Sequence, residues 1–578
     1  MNGLAGRIPL HGTLDELGLR VMFCGYIAEP AALCSRLGID ATPKPAHARL
    51  IAHAYRAWGR ELQAHVLGEY AAVVYDPRDD VALLTHDALG LVPLYYVDGP
   101  DGLAFSTHLP DLVDAATSNA LDDEYLADFL ALGVVSTERT PYPSIRRLLP
   151  GQSLWWSNGT LRVLRTWNLA DAPAVRCRDD AEYEERFRTL LGEAVRSASE
   201  TTGSLWSDLS GGLDSSSVTS VAARSGRELT AFSVVSEEFP ETDERRWMRA
   251  VVDQYALPWQ QLRIEDMLPF ARLPGEFVGE PTPSAINAEY HDREHELLTS
   301  AGATTLLTGH GGDAVLGAFP GSIATHLADP LFEGRPIAAL RDVAAWRNGS
   351  GKNRSYSYWL LRSLVEPAVS HLRGRDIRAS AYLPVQPWLE ADYVRSAHLS
   401  ARFHRRHAPR CRQPGRQQLW DALWTSVLSL NADAQRSRSY DVRYPLLHRP
   451  LVEFMCGIPW QQKLRPRCDR YLQRRALEGV LPEIVRRRAS KAAGSRALCE
   501  GLRRSRDWFA YLTDDSLLAR RGIVDSTRWR HAVRQAALGE THGDQFFLAG
   551  VAVEAFLRQL DEYRTARPHP RSRSVPAG

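Results

Sequence analysis

At 578 residues the chain is long enough for two to four domains with sizeable cores. Its 70 Lys and Arg against 69 Asp and Glu leave a net charge of +1, which argues against a nucleic acid or another bulk polyanion as partner. No run approaches the roughly 20 apolar residues of a membrane-crossing helix, and the start lacks a secretory pattern, so a cytoplasmic protein with no membrane partner is expected. Seven scattered cysteines (Cys24, Cys34, Cys177, Cys411, Cys456, Cys468 and Cys499) form no Cys-x-x-Cys pair, and they read as reduced thiols with neither a zinc site nor a disulfide framework.

In chain order, residues 1 to about 170 alternate short β-rich runs (71–75, 81–85, 94–97) with turn signals such as Asp98-Gly99-Pro100, which predicts a β-rich first domain with some helices. A polar connector over 170–180 leads into a predicted helix over 181–200. Leu205 and Trp206 predict a buried strand and 218–223 has helical spacing, so the glycines between them occupy a strand-to-helix turn. Beyond it, 229–235 predicts a second strand, 243–254 a helix and 304–308 a further strand. This alternation implies an α/β domain with a parallel sheet and ligands at the carboxyl ends of its strands. Residues 564–578, rich in Arg, Pro and Ser, are expected to form a disordered tail.

Ser-Asp-Leu-Ser-Gly-Gly-Leu-Asp-Ser-Ser-Ser at 207–217 carries the most chemistry. Gly211 and Gly212 let backbone amides approach a bound oxyanion. Ser210, Ser215 and Ser216 add hydroxyl donors, and the helix start adds unpaired amides and the positive end of its dipole. Asp214 would repel phosphate unless a cation lay between them, which points to magnesium held by Asp214 and nucleotide phosphates. No Lys-Ser or Lys-Thr follows, so this is not the usual P-loop. A second glycine turn, Thr308-Gly309-His310-Gly311-Gly312-Asp313, follows the strand at 304–308. A histidine side chain ordinarily titrates near neutrality, so the residue type at His310 suits proton transfer, while Asp313 offers a second carboxylate to the same magnesium. Arginine concentrates over 436–496, including Arg486, Arg487 and Arg488, either as a solvated face or as a lining for departing pyrophosphate. Two other patterns lead nowhere. His291-Asp292-Arg293-Glu294-His295 fits an inverted zincin but has no third ligand, so an exposed polar helix is expected. Gly349-Ser350-Gly351-Lys352 has Trp346 where a P-loop needs its first glycine, and it reads as a mobile basic loop.

The 207–217 string resembles the pyrophosphate loop of ATP pyrophosphatases that form adenylates, in the form found in the asparagine synthetase family. The resemblance implies that Ser210, Gly211, Gly212, Leu213, Asp214, Ser215, Ser216, Val234 and Gly309 bind ATP and pyrophosphate, and that Asp214 and Asp313 hold Mg2+. His310 falls at a catalytic position that is Glu in asparagine synthetases and Tyr in β-lactam synthetases. Residues 439–448 resemble the family's Arg-x-Pro-Phe-Leu-Asp segment, with His448 in place of the final acid. Leu481-Pro482-Glu483 onward matches the region that supplies a catalytic lysine, here Lys491, whose ammonium would stabilise negative charge as the amide forms. Residues 68–75, 87–96, 105–107, 149–151 and 166–167 resemble, in order, the amidotransferase half. The implied fold is an N-terminal glutaminase-like (Ntn-type) αββα sandwich over 1–170 and a C-terminal α/β synthetase domain over 181–563, whose parallel sheet carries the pyrophosphate loop.

Glutamine-using relatives expose a cysteine nucleophile at the chain start, where this sequence has Asn2. Cys24 is internal and lacks the free α-amine that would serve as base, so the first half is expected to be a retained scaffold and the amine to come from elsewhere. Three branches of the family differ in that amine. Asparagine synthetases take ammonia from glutamine, β-lactam synthetases close a small ring within one substrate, and lasso peptide cyclases join a peptide's N-terminal amine to an Asp or Glu side chain. The long interval between Asp313 and Arg443, with Trp346, Tyr356, Tyr358, Trp359, Trp388, Trp420 and Trp424, suits a peptide surface. The favoured reading is therefore an ATP-dependent, AMP-forming lasso peptide cyclase acting on a precursor core peptide, with a leader-peptide recognition protein and a leader peptidase as implied partners. A β-lactam synthetase-like or other amide ligase is the alternative. A non-catalytic ATP-binding scaffold is a third, which the retained Asp214, Asp313 and Lys491 count against.

Overall fold

The computed structural model of the chain describes residues 4–7, 14–42, 45–99, 102–114, 120–317, 323–350, 354–374, 386–402, 408–489, 495–540 and 545–566. Asn2, Lys491 and the tail beyond Ala566 lie outside these residues. Ten strands occupy the first half: β1 (Leu4–Arg7), β2 (Leu14–Glu16), β3 (Leu19–Ile27), β4 (Gly68–Asp76), β5 (Val81–His86), β6 (Tyr95–Gly99), β7 (Gly102–Ser106), β8 (Arg146–Arg147), β9 (Gln152–Ser157) and β10 (Thr160–Arg165). They form a six-stranded sheet in the order β10-β9-β5-β4-β3-β2 and a four-stranded sheet in the order β1-β7-β6-β8.

Strand alternation sorts the side chains of β4 to opposite faces. Tyr70, Ala72 and Val74 meet Leu50, Ile51 and Ala54 of the helix His47–Trp58, while Val73 turns inward to Tyr96, Leu103 and Phe105 of the facing sheet. On the outer face of the smaller sheet, Tyr125 and Phe129 of the helix Asp123–Leu132 pack with Tyr95 and Val97. The layers run helix, sheet, sheet, helix, which is the αββα sandwich expected from the sequence.

The second half is built on five parallel strands, β11 (Ser204–Asp208), β12 (Thr230–Val235), β13 (Trp259–Arg263), β14 (Ala303–Leu307) and β15 (Asp441–Arg443), in the order β13-β12-β11-β14-β15. The helices Asp180–Ala198, Leu213–Arg224 and Arg245–Tyr255 cover one face through residues such as Phe187, Val218 and Val251, and the helix Ala288–Ser300 covers the other through Leu298. From central β11 the order proceeds outward in both directions, to β12 on one side and β14 on the other. Such a switch point opens a crevice at the strands' carboxyl ends. Two strands escaped the sequence reading for plain reasons: β13 is an edge strand whose Gln260 and Gln261 face water, and β15 has only three residues.

The halves share buried polar contacts. Arg147 of the sandwich meets Glu280 of the second half at 2.6 Å with both side chains under 5 % exposed, and Tyr95 and Tyr125 donate their hydroxyls to the same carboxylate at 3.1 and 2.9 Å. Glu69 on β4 accepts the Tyr444 amide at 2.8 Å, beside Arg443, which lies 4.2 Å over the Tyr26 ring. Removing one partner of a buried, hydrogen-bonded pair strands the other, so Glu280→Ala should lower unfolding free energy by about 3–5 kcal/mol, read by urea denaturation. Burial pushes the Glu69 carboxyl up to about 8 against the opposing Tyr444 hydrogen bond. A carboxyl raised in the fold adds stability below its unfolded pKa and loses it as pH rises through the folded one. The urea midpoint should therefore fall between pH 5 and 8, and Glu69→Gln should flatten that slope.

Candidate active site

β11 ends at Asp208, and the chain turns through 209–212 into the helix Leu213–Arg224. Gly211 sits at φ +74°, a left-handed conformation, and a Cβ there would lie 3.2 Å from the Glu244 carbonyl. The Ser215 hydroxyl accepts the Ser210 amide at 3.1 Å and pairs with the Ser210 hydroxyl at 2.9 Å, which rounds the turn and leaves the first helical amides without intrahelical acceptors. The second glycine turn follows β14 and lies directly against this helix start. A Cβ on Gly309 would come within 2.5 Å of the Ser215 nitrogen, so only glycine permits the approach.

Ser210, Gly212, Leu213, Asp214, Ser215, Gly309, His310 and Asp313 line one cavity of about 450 Å³ together with Asp208, Ala422, Ser426, Arg470, Arg474 and Arg488. Three residues assigned to the nucleotide do not reach the cavity lining: the Gly211 carbonyl accepts Arg488 Nη1 at 3.0 Å behind it, Ser216 has a buried hydroxyl with no hydrogen-bond partner among the described residues, and Val234 packs within the cluster around Phe232 on β12. His310 is exposed at the rim, its ring edge-on to Tyr444 with centroids 6.3 Å apart.

Arg470 was not foreseen. Its Nε and Nη2 reach the two oxygens of Asp214 at 2.8 and 2.7 Å, and Nη2 also contacts Asp313. Burial opposes its charge, but Asp214 and then Asp313 outweigh that and hold the guanidinium above its ordinary range. Both carboxylates thus converge on one nitrogen. Among the described residues no three His, Cys, Asp or Glu side chains gather as a metal cage. A magnesium ion takes one or two carboxylates and completes its shell from phosphate and water, so the Asp214–Asp313 pair fits an ion arriving with a nucleotide. The arginine-rich stretch divides. Arg488 is buried, contacts Glu244 and lies 4.0 Å over the Trp247 ring, and Arg474 is tied to Asp469 at 2.7 Å. Arg487 is exposed and pairs with Glu483.

Several expectations need correction. Trp346, Trp359, Trp388, Trp420 and Trp424 are all core residues at 8 % exposure or less, leaving only Tyr356 and Tyr358 of the aromatic set on the surface. Trp420 and Trp424 stack edge-on at 5.1 Å within the helix Pro414–Asp433, and the Trp424 indole donates to the Ser136 carbonyl at 3.0 Å, which joins the two halves. The helix bearing His291 and His295 is not simply exposed: Glu294 is buried and accepts the Tyr290 hydroxyl, because this face packs toward Tyr440. Gly349 and Ser350 end the helix Pro336–Ser350 rather than opening a loop, and Gly351 and Lys352 lie outside the described residues. His448 starts the helix Arg449–Gly457; burial, with the Arg449 charge behind it, pushes its pKa down to about 4, so the imidazole there is neutral.

Residues 186–558 match the asparagine synthase family and residues 44–167 match the glutamine amidotransferase domain family; the chain belongs to the asparagine synthase family. It is 22 % identical over 463 residues to asparagine synthetase [glutamine-hydrolyzing] 3 of Bacillus subtilis, covering 75 % of this chain and 68 % of that protein. It is 24 % identical over 457 residues to the glutamine-hydrolyzing asparagine synthetase 1 of the same organism, with 75 % and 68 % covered. A putative asparagine synthetase of Methanocaldococcus jannaschii is 23 % identical over 334 residues, 54 % of this chain and 61 % of that protein. The family is one of ATP-using amide ligases. No helix among the described residues is long and apolar enough to cross a membrane. Gly309→Ala should push the second turn off the helix start and weaken ATP binding at least tenfold in calorimetry, with the overall fold retained by circular dichroism.

Proposed function

We propose that the chain is a lasso peptide cyclase working in the cytoplasm: with ATP it activates an Asp or Glu side chain of a precursor core peptide as its AMP ester and joins it to the peptide's N-terminal amine. The observation that carries this reading is the chemistry of the first half. Its two cysteines in the described residues are Cys34, fully buried, and Cys24, whose thiol is pushed up to about 11 by burial and by Asp441. Cys24 is therefore not a poised thiolate and Cys34 is buried away from any substrate, and a thiol without activation and access does not open glutamine. The amine then comes from the substrate itself, as ring closure requires. The helix Pro414–Asp433 supports the same reading by presenting only Ala422 and Ser426 to the cavity, small side chains that leave room for a bulky acyl donor.

The residues divide the work. The amides at the start of the helix Leu213–Arg224 and the hydroxyls of Ser210 and Ser215 hold the pyrophosphate end of ATP. Asp214 and Asp313 would hold magnesium, which supplies positive charge against the phosphates. Arg470 must release at least one of these acids and is then free to face the same anions. The substrate carboxylate oxygen attacks the α-phosphorus and the bond to pyrophosphate breaks. The amine nitrogen next attacks the acyl carbon, the bond to AMP breaks, and an imidazole nitrogen of His310 takes the amine's proton. Lys491 is assigned to the developing negative charge. Leader-recognition and leader-peptidase proteins act upstream in this scheme.

An amide ligase on a small amino acid is the second reading, favoured by the names of the relatives. Intact mass of a leader-processed candidate peptide incubated with ATP and magnesium separates them. Loss of one water with AMP release supports cyclisation; an unchanged peptide, with AMP only when small β-amino acids are supplied, overturns it. Asp214→Ala should abolish AMP formation, and a variant that keeps it would sink the site. His310→Ala should slow amide formation more than adenylation, and equal losses would reject the proton-acceptor role.

A further inference from the structure

Eight of the eleven exposed large hydrophobic side chains among the described residues fall within 337–372. The chain is helical without a break over 356–372, with a π turn at Leu361–Val365 just ahead of Pro367. Its inner face, with Trp359, Leu364, Pro367 and His371, is buried, part of it against the helix Ile323–Phe332. Its outer face carries a second apolar stripe: Tyr358, Leu361, Val365 and Leu372 are 42, 56, 51 and 63 % exposed, with Val369 beside them. These positions follow an i, i+3, i+7, i+14 spacing, the seam along which another helix packs. The preceding helix Pro336–Ser350 adds Ile337 and Leu340 at the start of this stripe, where the Tyr356 hydroxyl reaches the Leu340 carbonyl. Together they form an apolar face whose stripe, Tyr358 to Leu372, is about 20 Å long at 1.5 Å per residue.

We propose that this apolar face docks an amphipathic helix of a partner protein whose apolar stripe is flanked by Asp and Glu. Charge selects the occupant. Residues 335–373 carry seven Lys and Arg against two acids, and both acids are engaged, Glu366 with Arg362 at 2.7 Å and Asp342 with Gln461 at 2.9 Å. Arg341, Arg354 and Arg373 of the same helices and their connection are exposed. A second copy of this chain would bring like charge against like charge, and an acidic helix would not. A membrane surface is the poorer fit because both tryptophans of the region, Trp346 and Trp359, face inward, leaving aliphatic groups and two tyrosines on the outer face.

The test uses the full chain and a fluorescent synthetic helical peptide with a leucine stripe flanked by glutamates, followed by anisotropy. The acidic peptide should bind, a lysine-flanked counterpart roughly tenfold more weakly from the sum of several exposed charges, and Leu361→Glu or Val365→Glu should abolish binding without changing the circular dichroism. Leu372→Glu serves as a third variant should either of those unfold. Equal binding of both peptides, binding of neither, or binding untouched by the variants overturns the proposal. A dimer that Val365→Glu dissociates in light scattering would make the second copy the occupant, and stripe-dependent sedimentation with phosphatidylglycerol vesicles would make it a membrane; either result overturns it as well.

Discussion

The approach of the second glycine turn to the first helical turn, Gly309 against the Ser215 amide, is the contact on which the catalytic half depends. It places two loops that are nearly a hundred residues apart in the chain on one wall of one cavity. It also holds Asp214 and Asp313 close enough for a single guanidinium nitrogen to touch both. The sheet serves this contact: β11 and β14 are neighbours, so their carboxyl ends deliver both turns to the same crevice.

Two acids at that distance repel unless a cation separates them. Arg470 fills that role in the structure, tying a segment late in the chain to the pyrophosphate loop. It is a charge on a tether, and Arg470 itself, in a left-handed backbone conformation at φ 48°, is held at the mouth of the cavity by Asp469 as well.

Whatever was encoded in a short contiguous string could be read beforehand. The two glycine turns, the strands that launch them and the β-rich first half all rest on local spacing, and each appears near its expected place; the helix after the first turn simply begins earlier, at Leu213. Properties that depend on distant partners could not be read this way. Arg470 lies 256 residues from Asp214, and nothing in its neighbourhood marks it among so many arginines. Trp420 and Trp424 look like binding residues by type, yet one helical turn apart they face the joint between the halves, where their area is worth most as packing. Val234 was placed by analogy, and the pleat of β12 carries it to the far face of the sheet.

The helix Pro414–Asp433 has one side in the cavity, through Ala422 and Ser426, and one hydrogen-bonded to the sandwich, through Trp424. The sandwich thus supplies part of the template on which the cavity wall is cast. Removing it would leave Trp420 and Trp424 facing water and the wall without a back. A change of shape within the sandwich is in this way felt at a cavity in the other half, through a helix that belongs to neither glycine turn.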